Sequence, residues 1–332
     1  MQLLSELKSS RGPTVGDLLD QFLEHAGSMR RSPTTLREYQ RLAEKVIRPE
    51  LGRIKLSKLT VKDLDKLYAK LTARGNQPLT VRHVHALIAA ALHQAERWDL
   101  VDRDVSQRAS PPPLYRAEVT ALHADEVRRI IAAANEVEPA LAKMLLLAAL
   151  TGARRGELCA LRWDDLDWEA GTLSIARSLY DTPGAGWGEK DTKSHRARRV
   201  ALDELGLDAL ESHRATVERF AQVSDVTVTP SAFIFSRTPG NQEPIRPTVL
   251  SHFTARVALK AGVRTHIHAF RHFCATQAIA AGFDVVTVGA RLGHTDPSVT
   301  LRVYSHAVHQ RDRELAASLG RTVGADAFRI SD

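Results

Sequence analysis

Between Thr265 and His306 the chain reads T-H-I-H-A-F-R-H-F-C-A-T, then an apolar helical run, then A-R-L-G-H-T-D-P-S-V-T-L-R-V-Y-S-H. His268, Arg271 and His272 stand together without an acidic residue in their motif. A cluster of this kind suits an anion held by cationic donors, with phosphate the natural candidate, better than a metal held by carboxylates. Tyr304 is one of five tyrosines in 332 residues, and it follows the Gly293-His294 turn and a helix start marked by Pro297. A phenol with a reference pKa near ~10 is a poor nucleophile at neutral pH, so it reacts only where cations favour its ionised form. Its competing role is that of a packed core residue.

Two earlier stretches carry matching chemistry. In Thr151-Gly-Ala-Arg154-Arg-Gly-Glu157, the Thr-Gly pair breaks one helix and a new one starts at once with Arg154 in its first turn. Free backbone N–H groups and the helix dipole favour an anion there. Taken alone, Arg154 reads equally as a surface arginine. Glu157 either pairs with a basic group of the site or supports the first turn. The run Lys190-Asp-Thr-Lys193-Ser-His-Arg196-Ala-Arg198-Arg199 reads as a basic loop at or near the end of a β-hairpin. A lysine on such a loop can swing in and donate a proton, although spacing alone makes the run a nonspecific phosphate patch. His268 and His272 are also at metal-ligand spacing, but Arg271 lies between them and no fourth ligand is in view, so no metal is expected. His272 then reads as structural or supporting.

The elements that must position these groups fall into two parts. Thr14-x-x-Asp17 and Thr60-x-x-Asp63 are capping-box starts, and Ser32-Pro33 opens a further helix that Pro49 and Gly52 should end. With a helix from about Leu79 to Trp98, four amphipathic helices occupy residues 13–108 as a compact bundle. Arg31, Arg82 and His83 are candidate DNA groove or phosphate contacts on it, or simply a solvated face. The prolines after Ser110 read as a semi-rigid linker over 109–120. The second part, 121–310, begins with a helix near Ala124–Ala134 and a very apolar one over Ala140–Leu150, whose lack of a polar face implies full burial. Alternation at Thr172–Ala176 and a return at Arg199–Leu202 give a small antiparallel sheet, and Thr248–Gly262 reads as a helix. The fold class is mainly α with a small antiparallel β-sheet.

Bulk properties agree. Net charge is +7 with a sequence pI of about 9.6, which favours a polyanionic partner. Residues 1–110 hold 19 Lys and Arg against 13 Asp and Glu, marking the first part as a docking module. Cys159 and Cys274 sit in apolar helical settings without paired-ligand spacing, which suits a reducing compartment. The start of the chain lacks a signal-peptide core and no apolar run reaches spanning length, so the expectation is a cytoplasmic protein with no membrane partner.

Taken in order, Arg154 with Glu157, the Lys193 loop, His268-Ala-Phe-Arg271-His272, Leu292-Gly-His294 and Tyr304 closely resemble the tyrosine recombinase (phage integrase) family. The resemblance covers the whole second part, with Phe270 where the family usually has leucine. It implies an N-terminal helical core-binding domain and a catalytic domain forming a C-shaped clamp around double-stranded DNA. It further implies catalysis by Tyr304, Arg154, Lys193, His268, Arg271 and His294, with a 3′-phosphotyrosine intermediate and no cofactor. A homotetramer on DNA, helped by host or phage DNA-bending and directionality factors, follows from the same likeness. Residues 311–332 would form a tail docking between protomers. About a dozen residues, 1–12, precede the first helix, so the arm-binding module of many phage integrases is expected to be missing, which keeps a Xer-like resolvase or invertase in view. A catalytically silent DNA-binding protein on the same fold is the alternative from another class.

Overall fold

Thr14 and Thr60 start two helices by the same device. Thr14 Oγ1 accepts the Asp17 amide at 3.2 Å while Asp17 Oδ2 accepts the Thr14 amide at 2.8 Å. Asp63 Oδ2 likewise accepts the Thr60 amide at 3.0 Å, together with the Thr60 hydroxyl at 2.7 Å. Each box satisfies N–H groups that the first helical turn cannot pair internally. The computed structural model describes residues 12–29, 31–114, 121–182, 186–191 and 197–293. It divides into two units that meet in sequence at residues 118 and 119.

In the first unit α1 (Val15–Ser28), α2 (Pro33–Leu42), α3 (Val61–Ala73) and α4 (Pro78–Arg97) enclose a core that includes Leu18, Leu19, Leu64, Val81, Val84 and Leu87. Pro49 does not end the second helix as expected. α2 runs on through a π-helical turn, Ala43–Ile47, into a last helical turn, Arg48–Leu51, and stops at Gly52. The widened turn, in which Arg48 N–H reaches back to Ala43 O, gives the proline ring room that a regular α-helix would deny it. The proline stretch does not hang free either. Ser110 N–H donates to Asp65 Oδ1 at 2.8 Å and Arg82 Nη1 donates to Pro112 O at 3.1 Å.

The second unit is built around α6 (Pro139–Thr151), whose Leu141, Met144, Leu145, Leu147 and Ala148 are all buried. It follows α5 (Ala124–Val137) and leads into the five-residue α7 (Arg155–Cys159). Among the described residues, two antiparallel sheets stand where one was expected. β1 (Leu166–Asp167), β2 (Thr172–Ile175) and β5 (Arg198–Ala201) form one in the order β1-β2-β5, and β3 (Arg177–Thr182) pairs with β4 (Gly186–Asp191) in the other. In the β3–β4 hairpin Thr182 pairs with Gly186 at one end and Arg177 with Asp191 at the other. Lys190 and Asp191 of the basic run therefore lie at the latter end, while Arg198 and Arg199 belong to a strand of the other sheet. Gly156 explains how closely this hairpin rides on α7: a Cβ there would meet Leu179 O at 2.5 Å.

α8 (Glu204–Val223) was not read from the sequence. Its buried positions are Leu210, His213, Val217 and Ala221, a helical spacing interrupted by a histidine where a leucine would have signalled the stripe. His213 is bonded through Nε2 to Ile234 O at 2.8 Å and stacked on Phe235, and burial pushes its pKa down to about 4. α9 (Pro247–Lys260), α10 (His268–Ala280) and α11 (Val285–Leu292) follow among the described residues. Among the described residues, no helix is long and apolar enough to cross a membrane.

Gly152, between α6 and α7, is left-handed (φ +63), and a Cβ there would lie 2.4 Å from Leu292 Cδ2. The reversal and the tight packing of α11 therefore both require glycine. Gly152→Ala should cost about 1–3 kcal/mol, from the φ strain and the displaced leucine. Gly27→Ala, in open space within α1, should leave stability unchanged or slightly raised; urea unfolding midpoints of the two variants check this.

Candidate active site

Arg154 occupies the N-cap of α7, one residue outside the helix rather than in its first turn. Its own N–H donates to Glu157 Oε2 at 2.9 Å, and its Nη1 donates to Glu157 Oε1 at 2.8 Å. The anion favoured by this helix start is thus partly supplied by Glu157 itself. The guanidinium is still open, with about a quarter of the side chain exposed (27%) against 1% for Glu157. Its Nη2 also donates to Gly293 O at 3.3 Å, directly before His294. Arg155 takes no part, turning away to Ser251 Oγ at 2.9 Å.

Arg198 is the partner that sequence reasoning missed, having been grouped with a solvated phosphate patch. Its side chain is 9% exposed. Nη2 donates to Glu157 Oε2 at 2.7 Å and Nε donates to Arg291 O at 2.9 Å. Burial raises the Glu157 carboxyl pKa, but bonding and charge from Arg198, then Arg154, outweigh it and hold the group below its ordinary value. Arg291 was also missed. Its Nη2 donates to Leu150 O at 2.8 Å and Ala201 O at 3.1 Å, fastening α11 to the end of α6 and to β5. Arg291 has one sequence signal, its position within an otherwise apolar run, whereas Arg198 stands in a basic one.

Arg271 is buried on α10, and its Nη1 donates to Gly152 O at 2.7 Å. That bond brings the second arginine to the reversal that presents Arg154. His268 begins α10 and reaches solvent. Its pKa is pushed down to about 4, first by desolvation and then by the positive fields of His272, Arg271, His266 and Arg154. His272, half-buried, meets the His268 ring edge-on at 5.0 Å between centroids, and desolvation also lowers its pKa. The structure therefore gathers Arg154, Glu157, His268, Arg271 and His272. Lys193, His294 and Tyr304 lie outside the described residues. In the first unit, Arg31 is exposed, whereas Arg82 is half-buried and engaged with Pro112. Among the described residues no group of His, Cys, Asp and Glu is placed to hold a metal ion, and both cysteines are buried and free.

Arg154, Arg198 and Arg271 carry three positive charges, and Glu157 is the carboxylate bonded to the first two. Guanidinium groups held in this way, with neutral histidines beside them, suit an oxyanion with charge on several oxygens.

A model of the phage integrase family matches residues 120–311, and a model of the phage integrase N-terminal SAM-like domain matches residues 14–72. A tyrosine recombinase XerC-like protein of Caldanaerobacter subterraneus subsp. tengcongensis is 24% identical over 92% of this chain and 82% of its own. Among solved structures, the Tn1549 transposon integrase in complex with a circular intermediate DNA superposes with a TM-score of 0.78 at 18% identity, over 93% of this chain and all of that one (100%). The lambda integrase tetramer bound to a Holliday junction gives 0.65 at 19% identity, over 90% of this chain and 80% of that one.

The two histidines give a direct test of the field in this site. In the free protein the His268 ring should titrate well below its usual ~6.5. Phosphodiester binding offsets the neighbouring cations, so the midpoint should rise when duplex DNA is added. Histidine proton NMR titration, with His268→Asn to assign the signal, reads both midpoints; an unshifted His268 would contradict this field.

Proposed function

The chain belongs to the phage integrase family, and on that footing we propose how its site cuts and rejoins DNA. The protein is a tyrosine site-specific recombinase. The carrying observation is the convergence of Arg154 and Arg271 on the Gly152 reversal, with His268 beside them.

In the proposed reaction Arg154 and Arg271 hold the non-bridging oxygens of the scissile phosphate and offset the charge that grows on them as phosphorus becomes pentacoordinate. The Tyr304 oxygen attacks phosphorus while its proton passes to His268, which is neutral at pH 7 and so able to accept it. The bond from phosphorus to the 5′-oxygen breaks, and Lys193 protonates that oxygen as it leaves. His294 binds a phosphate oxygen, and Glu157 and His272 support the arginines and His268. The products are a 3′-phosphotyrosine and a free 5′-hydroxyl, and the reverse attack by a 5′-hydroxyl rejoins the strand. The covalent bond conserves the energy of the phosphodiester, so no nucleotide enters these steps.

The finer biology is also proposed: integration and excision of a phage or related mobile element in the cytoplasm, by a homotetramer on DNA with bending or directionality factors. The lambda integrase tetramer on a Holliday junction supports the assembly by likeness. The XerC-like relative supports a second reading, resolution or inversion of chromosomal or plasmid sites by the same chemistry. In either case the first unit would grip the duplex with basic contacts such as Arg31 and, if its bond to Pro112 yields, Arg82. The segment 311–332 would dock onto a neighbouring protomer.

Tyr304→Phe separates a recombinase from a protein that only binds DNA. On nicked duplexes in EDTA, the native protein should form an SDS-resistant, protease-sensitive adduct, and Tyr304→Phe should form none while binding the same DNA within about twofold. Equal adduct from both proteins would exclude Tyr304 as the nucleophile.

A further inference from the structure

We propose that Arg198 is a positioning residue of this site, which neutralises Glu157 so that Arg154 keeps its positive charge for the phosphate; the proposal rests on the recombinase reading above. Glu157 has one negative charge and two arginines bonded to it. Its Oε1 accepts Arg154 Nη1, while its Oε2 accepts both the Arg154 amide and Arg198 Nη2. Arg198 is too deeply buried to reach a DNA backbone itself. Burying a cation is costly unless it is paired, and this one is paired with a carboxylate that Arg154 already binds.

The task of Arg198 follows from the geometry. Without Arg198, the full charge of Glu157 would fall on Arg154, the open guanidinium that should receive the substrate. Such a close ion pair competes directly with phosphate for the same N–H groups. With Arg198 present, the carboxylate can fix the Arg154 side chain and amide while its charge is met from the other side. The Nε bond of Arg198 to Arg291 O ties the same guanidinium to the end of α11. Gly293 is part of this fit, since it is left-handed (φ +69) and a Cβ there would lie 2.9 Å from Arg198 Nη1. One side chain thus links the strand that follows the Lys193 segment, the Arg154 helix start and the backbone leading into His294.

A purely structural role and a charge-balancing role diverge in one comparison. Arg198→Met leaves Glu157 to Arg154 alone, and adding Glu157→Gln removes the charge that needed balancing. The assay is the rate of covalent adduct formation at saturating nicked duplex, on DNA selected for binding from a random-sequence pool, alongside affinity for an intact duplex of the same sequence and thermal midpoints. Arg198→Met should slow adduct formation by about tenfold or more with affinity within about twofold. The double variant should react faster than Arg198→Met, a suppression that lost packing cannot produce. Arg198→Lys, which keeps the charge, should fall between native and Arg198→Met, and serves as the single-site test should the methionine variant fail to fold. A Met variant as fast as the native protein, a double variant slower than Arg198→Met, or a Lys variant slowed tenfold at an unchanged thermal midpoint would overturn the proposal. A native protein that binds the selected DNA and forms no adduct would instead remove the recombinase reading on which it rests.

Discussion

The second unit depends on a carboxylate that water does not reach. Burying an ionised glutamate costs several kcal/mol unless its charge and lone pairs are met. Glu157 meets that cost with one backbone amide and two guanidinium bonds, and each bond fixes a different piece of chain. The amide bond defines the N-cap of α7, a helix too short to be stable alone. The Arg154 bond orients the side chain that faces solvent. The Arg198 bond brings in β5, and through Arg291 O the end of α11. A helix start, a strand and a distant helix end are located relative to one another by a single side chain, within a site that tolerates little misplacement.

Packing then supplies what this ion cluster cannot. Gly152 reverses the chain tightly enough for Leu292 to sit where a Cβ would be, and Gly156 admits the Leu179 carbonyl. The first approach sets α10 and α11 against the end of α6, so that Arg271 can reach Gly152 O and Arg291 can reach Leu150 O, and the second seats the β3–β4 hairpin on α7. The glycines and the arginines act together: small residues allow the backbone to come near, and long cations then bridge what remains.

Much of this was legible in the sequence, and the failures have physical causes. Capping boxes at Thr14 and Thr60 are local, so the residues that make them lie within one turn and were readable. The same is true of the stripe over Val81–Ala95. The grouping of Arg154 with His268 and Arg271 came from a family resemblance, because nothing in spacing brings residues 154 and 271 together. Pro49 misled because a π-helical turn can absorb a proline. α8 was passed over because His213 stands in its buried stripe, satisfied by Ile234 O, a partner 21 residues away. Arg198 was misread because its neighbours are basic, and only tertiary structure distinguishes a sealed guanidinium from a solvated one.

The choice of partners for the arginines separates orientation from neutralisation. Arg271 is held by the Gly152 carbonyl, Arg291 by Leu150 and Ala201 carbonyls, and Arg198 in part by that of Arg291. A carbonyl oxygen orients a guanidinium without cancelling its charge, whereas a carboxylate does both. A protein selected only for stability would gain by placing acids at several of these positions. Here one carboxylate is shared by two arginines, and main-chain oxygens orient Arg271 and Arg291 and help to orient Arg198. Carbonyl bonds of this kind fix the cations in direction and leave their charge in place. In the proposed reaction their field is in place before charge develops on the phosphate, so little reorganisation is needed at that moment.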